Sequence, residues 1–205
     1  MSATKNRKPN VSGGRGRPRT FDADRAVGTA MTLFHRKGYD GVGVAEIGEA
    51  LGIRPPSFYA AFGSKAGLFR RVLALYASGE ANVFATALAE GGDVVTVIAR
   101  MFRVAARIYA VPGCAAGCLV LDGTRNSVDA EARAITGEAK AASRAAIRDF
   151  IAGEYPDRAD ELAEFATVVL AGMSASARDG DDGAMLARFA EKAGRAFARE
   201  AAQSG

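Results

Sequence analysis

The chain has 205 residues, 49% of them apolar, with 27 basic and 23 acidic side chains for a net charge of +4. That length suits one large domain or two smaller ones sharing a core. No apolar run approaches the roughly eighteen residues of a membrane-spanning helix, and no apolar segment follows the N-terminal charges; neither a membrane partner nor a secretory signal is expected, and the location is read as cytoplasmic.

Six basic residues (Lys5, Arg7, Lys8, Arg15, Arg17, Arg19) and no acidic one fall in the first twenty positions, which leaves the rest of the chain slightly acidic. A basic arm on a near-neutral body fits a polyanionic partner, with affinity gained from counterion release, although a solubilising tail has the same composition. Glycine and proline dominate its end, "GGRGRPRTF", so it cannot build a core and is read as a flexible arm over residues 1–19. Within it, Arg15-Gly16-Arg17-Pro18 resembles the "RGRP" of AT-hook peptides. The resemblance implies an extended backbone in an A·T-rich minor groove, with Arg15, Arg17 and Arg19 as DNA contacts.

Beyond the arm, apolar residues recur at helical spacing and alternation is nearly absent, so the fold is predicted to be all-α. Asp22 or Asp24 can cap a first helix bearing Val27, Ala30, Leu33 and Phe34, and Gly38 ends it. Short helices are expected over 44–51 and 55–62, separated by Gly52, with Pro55 and Pro56 in the first turn of the second. Ser64 caps a long helix predicted from Lys65 to about Ala89, and Gly91-Gly92 forms a joint. "DVVTVIARMFRVAARIYA" is too long for an ordinary strand and reads as a helix stopped by Pro112 and Gly113. A short helix is expected over 114–121. Three more follow: one through Ile135 and Phe150, one restarted by Pro156 through Leu162 and Met173, and one through Leu186 and Phe197.

The stretch "VAEIGEALGIRPPSFYAAF" carries the function. A helix-turn-helix needs a small residue where the helices touch, a turn residue tolerant of positive φ four positions later, and apolar residues that lock the angle. Gly48, Gly52 and the set Ile47, Leu51, Ile53, Phe58 and Ala61 fill those places, although an ordinary αα-hairpin also fits the spacing.

Residues 33–69, "LFHRKGYDGVGVAEIGEALGIRPPSFYAAFGSKAGLF", resemble the DNA-binding domain of the tetracycline-repressor (TetR-type) family of bacterial transcriptional regulators. "FYAAF" and "SKAGLF" are the most specific part. The resemblance implies a three-helix helix-turn-helix domain over residues 20–66, and a helical effector-binding and dimerisation domain over 67–205. It further implies a homodimer, a double-stranded operator of palindromic sequence, and a small-molecule effector. Carried over residue by residue, Tyr59 matches a phosphate-contacting tyrosine, and Lys65 lies where an ammonium and backbone N–H groups hold a phosphate. Arg54, Pro55, Ser57 and Ala60 fall at the head of the recognition helix, where the fork of Arg54 suits guanine O6 and N7. Gly43 and Val44 stand where the family often has threonine, so that phosphate contact has to come from a backbone N–H or is absent. Pro55 and Pro56 replace the family's frequent lysine and glycine and remove two donors.

In the C-terminal part, Phe84, Met101, Phe102, Tyr109, Cys118, Leu119 and Phe150 are candidates to line an effector pocket, although apolar residues at this spacing also build plain core. The segment "VVLAGMSASA" offers a face of small side chains. By resemblance it packs with the last helix against the same pair of a second subunit, giving Phe165, Val169, Gly172, Met173, Ser176, Phe189 and Phe197 as interface candidates; internal packing alone is the alternative. Cys114 and Cys118 lie four apart and are commonly explained as small core residues, with a redox or soft-metal role as the other reading. The single histidine, His35, reads as surface or packing and excludes the usual zinc and histidine-based catalytic sets. No strand precedes "GGRGRPR", so it is no phosphate loop, and no nucleophile with a base stands out; catalytic residues, cofactors and metals are expected to be none. The reading is a ligand-responsive repressor that binds its operator as a homodimer. A sequence-nonspecific DNA-binding or small-molecule-binding protein is the alternative.

Overall fold

A computed structural model describes residues 23–203, so the basic arm lies outside the described residues. Among those residues the secondary structure is entirely helical. The head comprises α1 (Ala23–Lys37), α2 (Val44–Leu51) and α3 (Pro55–Phe62), followed by α4 (Lys65–Ser78). The body comprises α5 (Val83–Leu88), α6 (Val94–Tyr109), α7 (Leu119–Asp122), α8 (Ala130–Ala152), α9 (Ala159–Arg178) and α10 (Gly183–Ala201), with a short 3-10 turn at Pro156–Arg158.

Side-chain caps set most of the starts. Ser64, Asn82, Asp93, Asp129 and Asp182 each accept from the N–H three positions on, at 2.7 to 3.1 Å. Such caps contribute about 1 kcal/mol each. Asp24 lies in the first turn of α1, where its charge suits the helix dipole. Gly38, at φ +71, ends α1 as expected.

In the head, Phe34, Tyr39 and Phe69 form an aromatic cluster with ring centroids 5.0 to 5.8 Å apart. Phe69 belongs to α4, so α4 completes the head's core and then runs on against α8. In the body, α6 is the central element. Val97, Ile98, Met101, Phe102 and Ala105 are buried between α5, α9 and α10. The β-branched opening of α6 is therefore helical, as its length implied.

Two boundaries differ from the sequence reading. The helix predicted to reach Ala89 ends at Ser78, because Gly79 leaves helical geometry and Asn82 caps a separate α5. The helix expected over 114–121 shrinks to Leu119–Asp122, since Gly113 (φ +79) and Gly117 (φ +75) hold left-handed conformations. Gly117 is fixed by space as well as by φ: a Cβ there would sit 2.8 Å from Ser174 Oγ.

Two glycines inside helices should respond oppositely. Gly137 is exposed on α8 with open space around it, so Gly137→Ala is expected to stabilise the protein by about 0.5–1 kcal/mol through helix propensity. Gly194 sits where a Cβ would come 3.1 Å from Ala99 Cβ, so Gly194→Leu should force α10 off α6 and cost about 1–3 kcal/mol. Thermal unfolding of both variants beside the parent measures the two shifts.

Candidate nucleic-acid interface and effector cavity

The turn between α2 and α3 is built by two glycines. Gly52 adopts the left-handed conformation (φ +65, ψ +32) and returns its N–H to Glu49 O at 3.1 Å. Ile53 N donates to Gly48 O at 2.9 Å, and a Cβ on Gly48 would lie 2.9 Å from Ile53 O. The sequence spacing thus becomes a contact that admits no side chain.

Phe58 and Phe62 face inward from α3, while Arg54, Pro55, Ser57, Tyr59 and Ala60 are exposed together on its outer side. Tyr59 is 51% exposed, and its ring meets Phe58 edge-on at 5.3 Å, leaving the hydroxyl end outward. Arg54 is the extended N-cap residue of α3. Gly43 is the exposed N-cap of α2 and supplies no side-chain cap, so the first N–H groups of that helix are open to an acceptor. No acidic residue lies on this face of α3. Arg15, Arg17 and Arg19 fall outside the described residues.

Lys65 is placed differently from its neighbours. Its ammonium donates to Tyr39 O and Val42 O, both at 3.2 Å, and lies 3.9 Å from the centre of the Tyr39 ring. The side chain therefore straps α4 to the loop before α2, with two of its three protons used inside the protein.

Behind the head, α1 and its following loop are bound to residues 117–129. Tyr39 N donates to Gly123 O at 2.7 Å, Tyr39 Oη to Asp129 Oδ2 at 3.0 Å and Ser127 Oγ to Asp40 Oδ1 at 2.9 Å. His35 Nε2 lies 3.0 Å from Gly117 O, which can only accept, so the proton is on Nε2. The carboxylate of Asp122 is fully buried. It accepts from Ser174 Oγ, pairs with Arg125 (2.5 Å) and Arg178 (3.3 Å), and Arg178 Nη2 also donates to His35 O at 3.1 Å. Neither His35 nor Asp122 was recognised from sequence as joining head to body, because the contacts that join the elements, to Gly117, Ser174 and Arg178, span 52 to 143 positions.

The body holds a cavity of about 450 Å³ between α4, α5, α6, α7, α8 and α9. Phe84, Tyr109 and Cys118 line it, as expected. Met101, Phe102 and Leu119 do not: all three are fully buried in solid packing around α6 and α7. Phe150 stands behind Phe84, ring to ring at 5.8 Å, outside the lining. Tyr76, Val83, Val120, Lys140, Arg144, Ile147 and Leu170 are among the wall residues that had not been singled out.

On the outer side of α9 and α10, Gly172 is exposed, Phe165, Val169 and Ser176 are half-buried and Phe189 is 44% exposed. Met173 and Phe197 are corrected to core positions. Met173 shares its face with Ala166, Leu170 and Ala177, which turn inward, and Phe197 packs on Phe165 at 6.1 Å. Val168, 64% exposed on α9, belongs to the outer surface instead.

A glycine-turned helix pair with a solvent-facing second helix, braced on a helical body with an apolar cavity, is the architecture of a helix-turn-helix regulator. Residues 27–72 match the model of bacterial regulatory proteins of the tetR family. The chain is 44% identical over 182 residues to the HTH-type transcriptional repressor BdcR of Escherichia coli (strain K12), covering 89% of this chain and 92% of that protein. Against the HTH-type transcriptional repressor ComR of the same organism it is 35% identical over 184 residues, covering 83% and 86%. Among solved structures, a cysteine-substituted form of the TetR family transcriptional regulator CifR, complexed with a 26-bp double-stranded operator, is similar with a TM-score of 0.79 and 33% identity over 88% of this chain and 99% of that one. The chain belongs to the TetR family of transcriptional regulators, which are not enzymes. Among the described residues, no helix is long and apolar enough to cross a membrane, and no cluster of metal-ligating side chains occurs.

Burial lowers the pKa of His35 below its usual 6.5; the nearby Arg178 acts the same way, while the Gly117 carbonyl and Asp122 oppose. The unfolded chain then binds the proton more readily, so this contribution to stability is complete above 6.5 and is lost as pH falls below it. Between pH 7 and 5 the melting temperature of the parent should fall more steeply than that of His35→Gln. Equal slopes would remove His35 as a titrating support of the junction.

Proposed function

We propose that this protein is a ligand-responsive repressor that binds a palindromic operator as a homodimer and releases it when a small molecule occupies the body cavity. The division of labour is an arm over 1–19, a DNA-binding domain over 20–66 and an effector-binding and dimerisation domain over 67–205, in a cytoplasmic protein. The observation that carries the reading is the outer face of α3, where Arg54, Ser57, Tyr59 and Ala60 are exposed together on a helix whose other face is locked into the head.

In this reading α3 enters the major groove. Tyr59 donates its hydroxyl to a phosphate, the open N–H groups at Gly43 hold a second, and Arg54 reads a base edge. Pro55 fixes the entry of the helix without needing a donor there. Two heads must present their helices about 34 Å apart to meet successive major grooves, so an effector that favours another spacing releases the DNA. The dimer forms through the outer side of α9 and α10, with Val168, Gly172 and Phe189 at its centre. The cognate complex of the CifR relative supports the mode of binding. The arm adds a minor-groove contact through Arg17, which at ~3.4 Å per residue reaches about 17 Å from Asp22.

A salt titration on a duplex selected from a random pool, beside a scrambled one, tests the reading. A large preference for the selected duplex should survive at physiological salt, whereas equal affinity would favour charge-driven binding without operator specificity. On the selected duplex, Tyr59→Phe should weaken binding to all sequences similarly, while Arg54→Ala should cost about 1–3 kcal/mol and relax preference at one base position. Deleting residues 1–18 should cost more on sites flanked by A·T than by G·C pairs.

A further inference from the structure

The cavity has two unlike ends. Its deep part is walled by the buried Val83, Tyr109, Val120, Ile147 and Leu170, whereas exposed wall residues, among them Ala77, Lys140 and Arg144, mark an opening between the end of α4 and the middle of α8. Three polar side chains of the wall are engaged with backbone: Asn82 Nδ2 donates to Ala77 O at 2.9 Å, Ser143 Oγ to Ala139 O at 3.0 Å and Thr167 Oγ1 to Ala163 O at 2.8 Å. Lys140 and Arg144 are the only charged side chains in the wall among the described residues, and both are cationic. One turn apart on the same face of α8, they repel each other. Lys140 has no ion-pair partner among the described residues, and Arg144 has only the exposed Glu164 of α9, at 3.8 Å. Two like charges at the mouth of an apolar cavity thus await a counter-charge that the chain itself barely supplies.

We propose that the cavity takes an amphipathic monocarboxylate, its apolar tail between Val83, Ile147 and Leu170 and its carboxylate at the opening against Lys140 and Arg144. This rests on the reading of the cavity as the effector site and names the chemical class that fits it. The volume of about 450 Å³ suits a compact tail with one ring. The planar fork of Arg144 can donate to both carboxylate oxygens, and the ammonium of Lys140 adds a further donor. Because both cations are exposed, the head keeps part of its hydration and avoids the cost of a fully buried charge. At the deep end, burial holds the Tyr109 phenol neutral, its pKa raised well above the ordinary value, so it sets no negative charge against the ligand. A neutral amide of the same skeleton gains the tail contacts alone. An ammonium meets two charges of its own sign.

Matched probes test this by calorimetric titration of the full-length protein at neutral pH: 4-phenylbutyrate, 4-phenylbutyramide, 4-phenylbutylammonium and acetate. The acid is expected to bind about fivefold more tightly than the amide, with the ammonium weaker than both. Acetate, which carries the head without the tail, should bind far more weakly than 4-phenylbutyrate. In the double variant Lys140→Gln/Arg144→Gln, both at exposed sites, the acid should bind no better than the amide. A second measurement needs no variant: the preference for the acid over the amide should narrow as salt rises, since ion pairs at an exposed opening are screened. Equal affinities for acid and amide in the parent, a preference that survives in the double variant or is indifferent to salt, acetate binding as tightly as 4-phenylbutyrate, or no binding by any probe would overturn the proposal. Operator affinity is followed separately on the selected duplex. An acid that binds through Lys140 and Arg144 yet leaves DNA affinity unchanged would refute effector control and leave the ligand class standing.

Discussion

The placement of the head on the body depends on how one buried carboxylate is neutralised. Asp122 ends α7 with no exposed surface, and an unpaired charge there would cost several kcal/mol. Ser174 and Arg178 come to it from α9 and Arg125 from the following turn, and Arg178 extends a second donor to the last turn of α1. One ion cluster thus fixes α1, α7 and α9 against each other. Gly117 follows from it, because the approach of Ser174 leaves no room for a Cβ. So does the neutral His35, whose imidazole N–H meets the Gly117 carbonyl from the α1 side.

The same loop belongs to the cavity. Cys118 lines it, and the backbone N–H of Cys118 donates to Ser174 Oγ at 2.7 Å, one bond from Asp122. Tyr76 lines it from α4, and its ring meets the His35 ring edge-on at 5.6 Å. A molecule in the cavity therefore touches two residues that each contact a group holding α1. Contact alone does not make a switch, since a ligand shifts an equilibrium only by its differential affinity for the two states. Reversing a 99:1 preference requires about 5.5 kcal/mol of such difference. The tight glycine loop behind the wall, where Gly117 admits no Cβ, is a place where filled and empty states can differ in energy.

What was legible in the sequence was local. The glycines at 48 and 52, the proline at 55 and the inward Phe58 announce the helix-turn-helix because each answers a constraint within a few residues. Caps were legible for the same reason where the capping side chain adjoins its helix, as at Ser64. The strap made by Lys65 was not legible because its two acceptors belong to a loop more than twenty residues earlier, and a lysine in the first turn of a helix does not reveal whether it faces solvent or its own chain. The cavity was only half legible. Apolar spacing marks which residues turn inward, and Met101, Phe102 and Leu119 do, but whether the interior there is filled or hollow depends on how six helices fail to close. Lys140 and Arg144 carry no apolar signal at all.

The two faces of α9 tie these observations together. Its inner face contributes Thr167 and Leu170 to the cavity wall and Ser174 and Arg178 to the ion cluster, while Val168 and Gly172 look outward to the proposed partner subunit. Residues on both sides are only one or two positions apart on a stiff helix, so a rotation or shift of α9 that makes room for a ligand cannot be confined to the cavity. It must change the angle presented to the second subunit or the hold on His35, or both. In the proposed homodimer those two quantities would set the spacing of the recognition helices, and α9 is the element that joins the cavity to both.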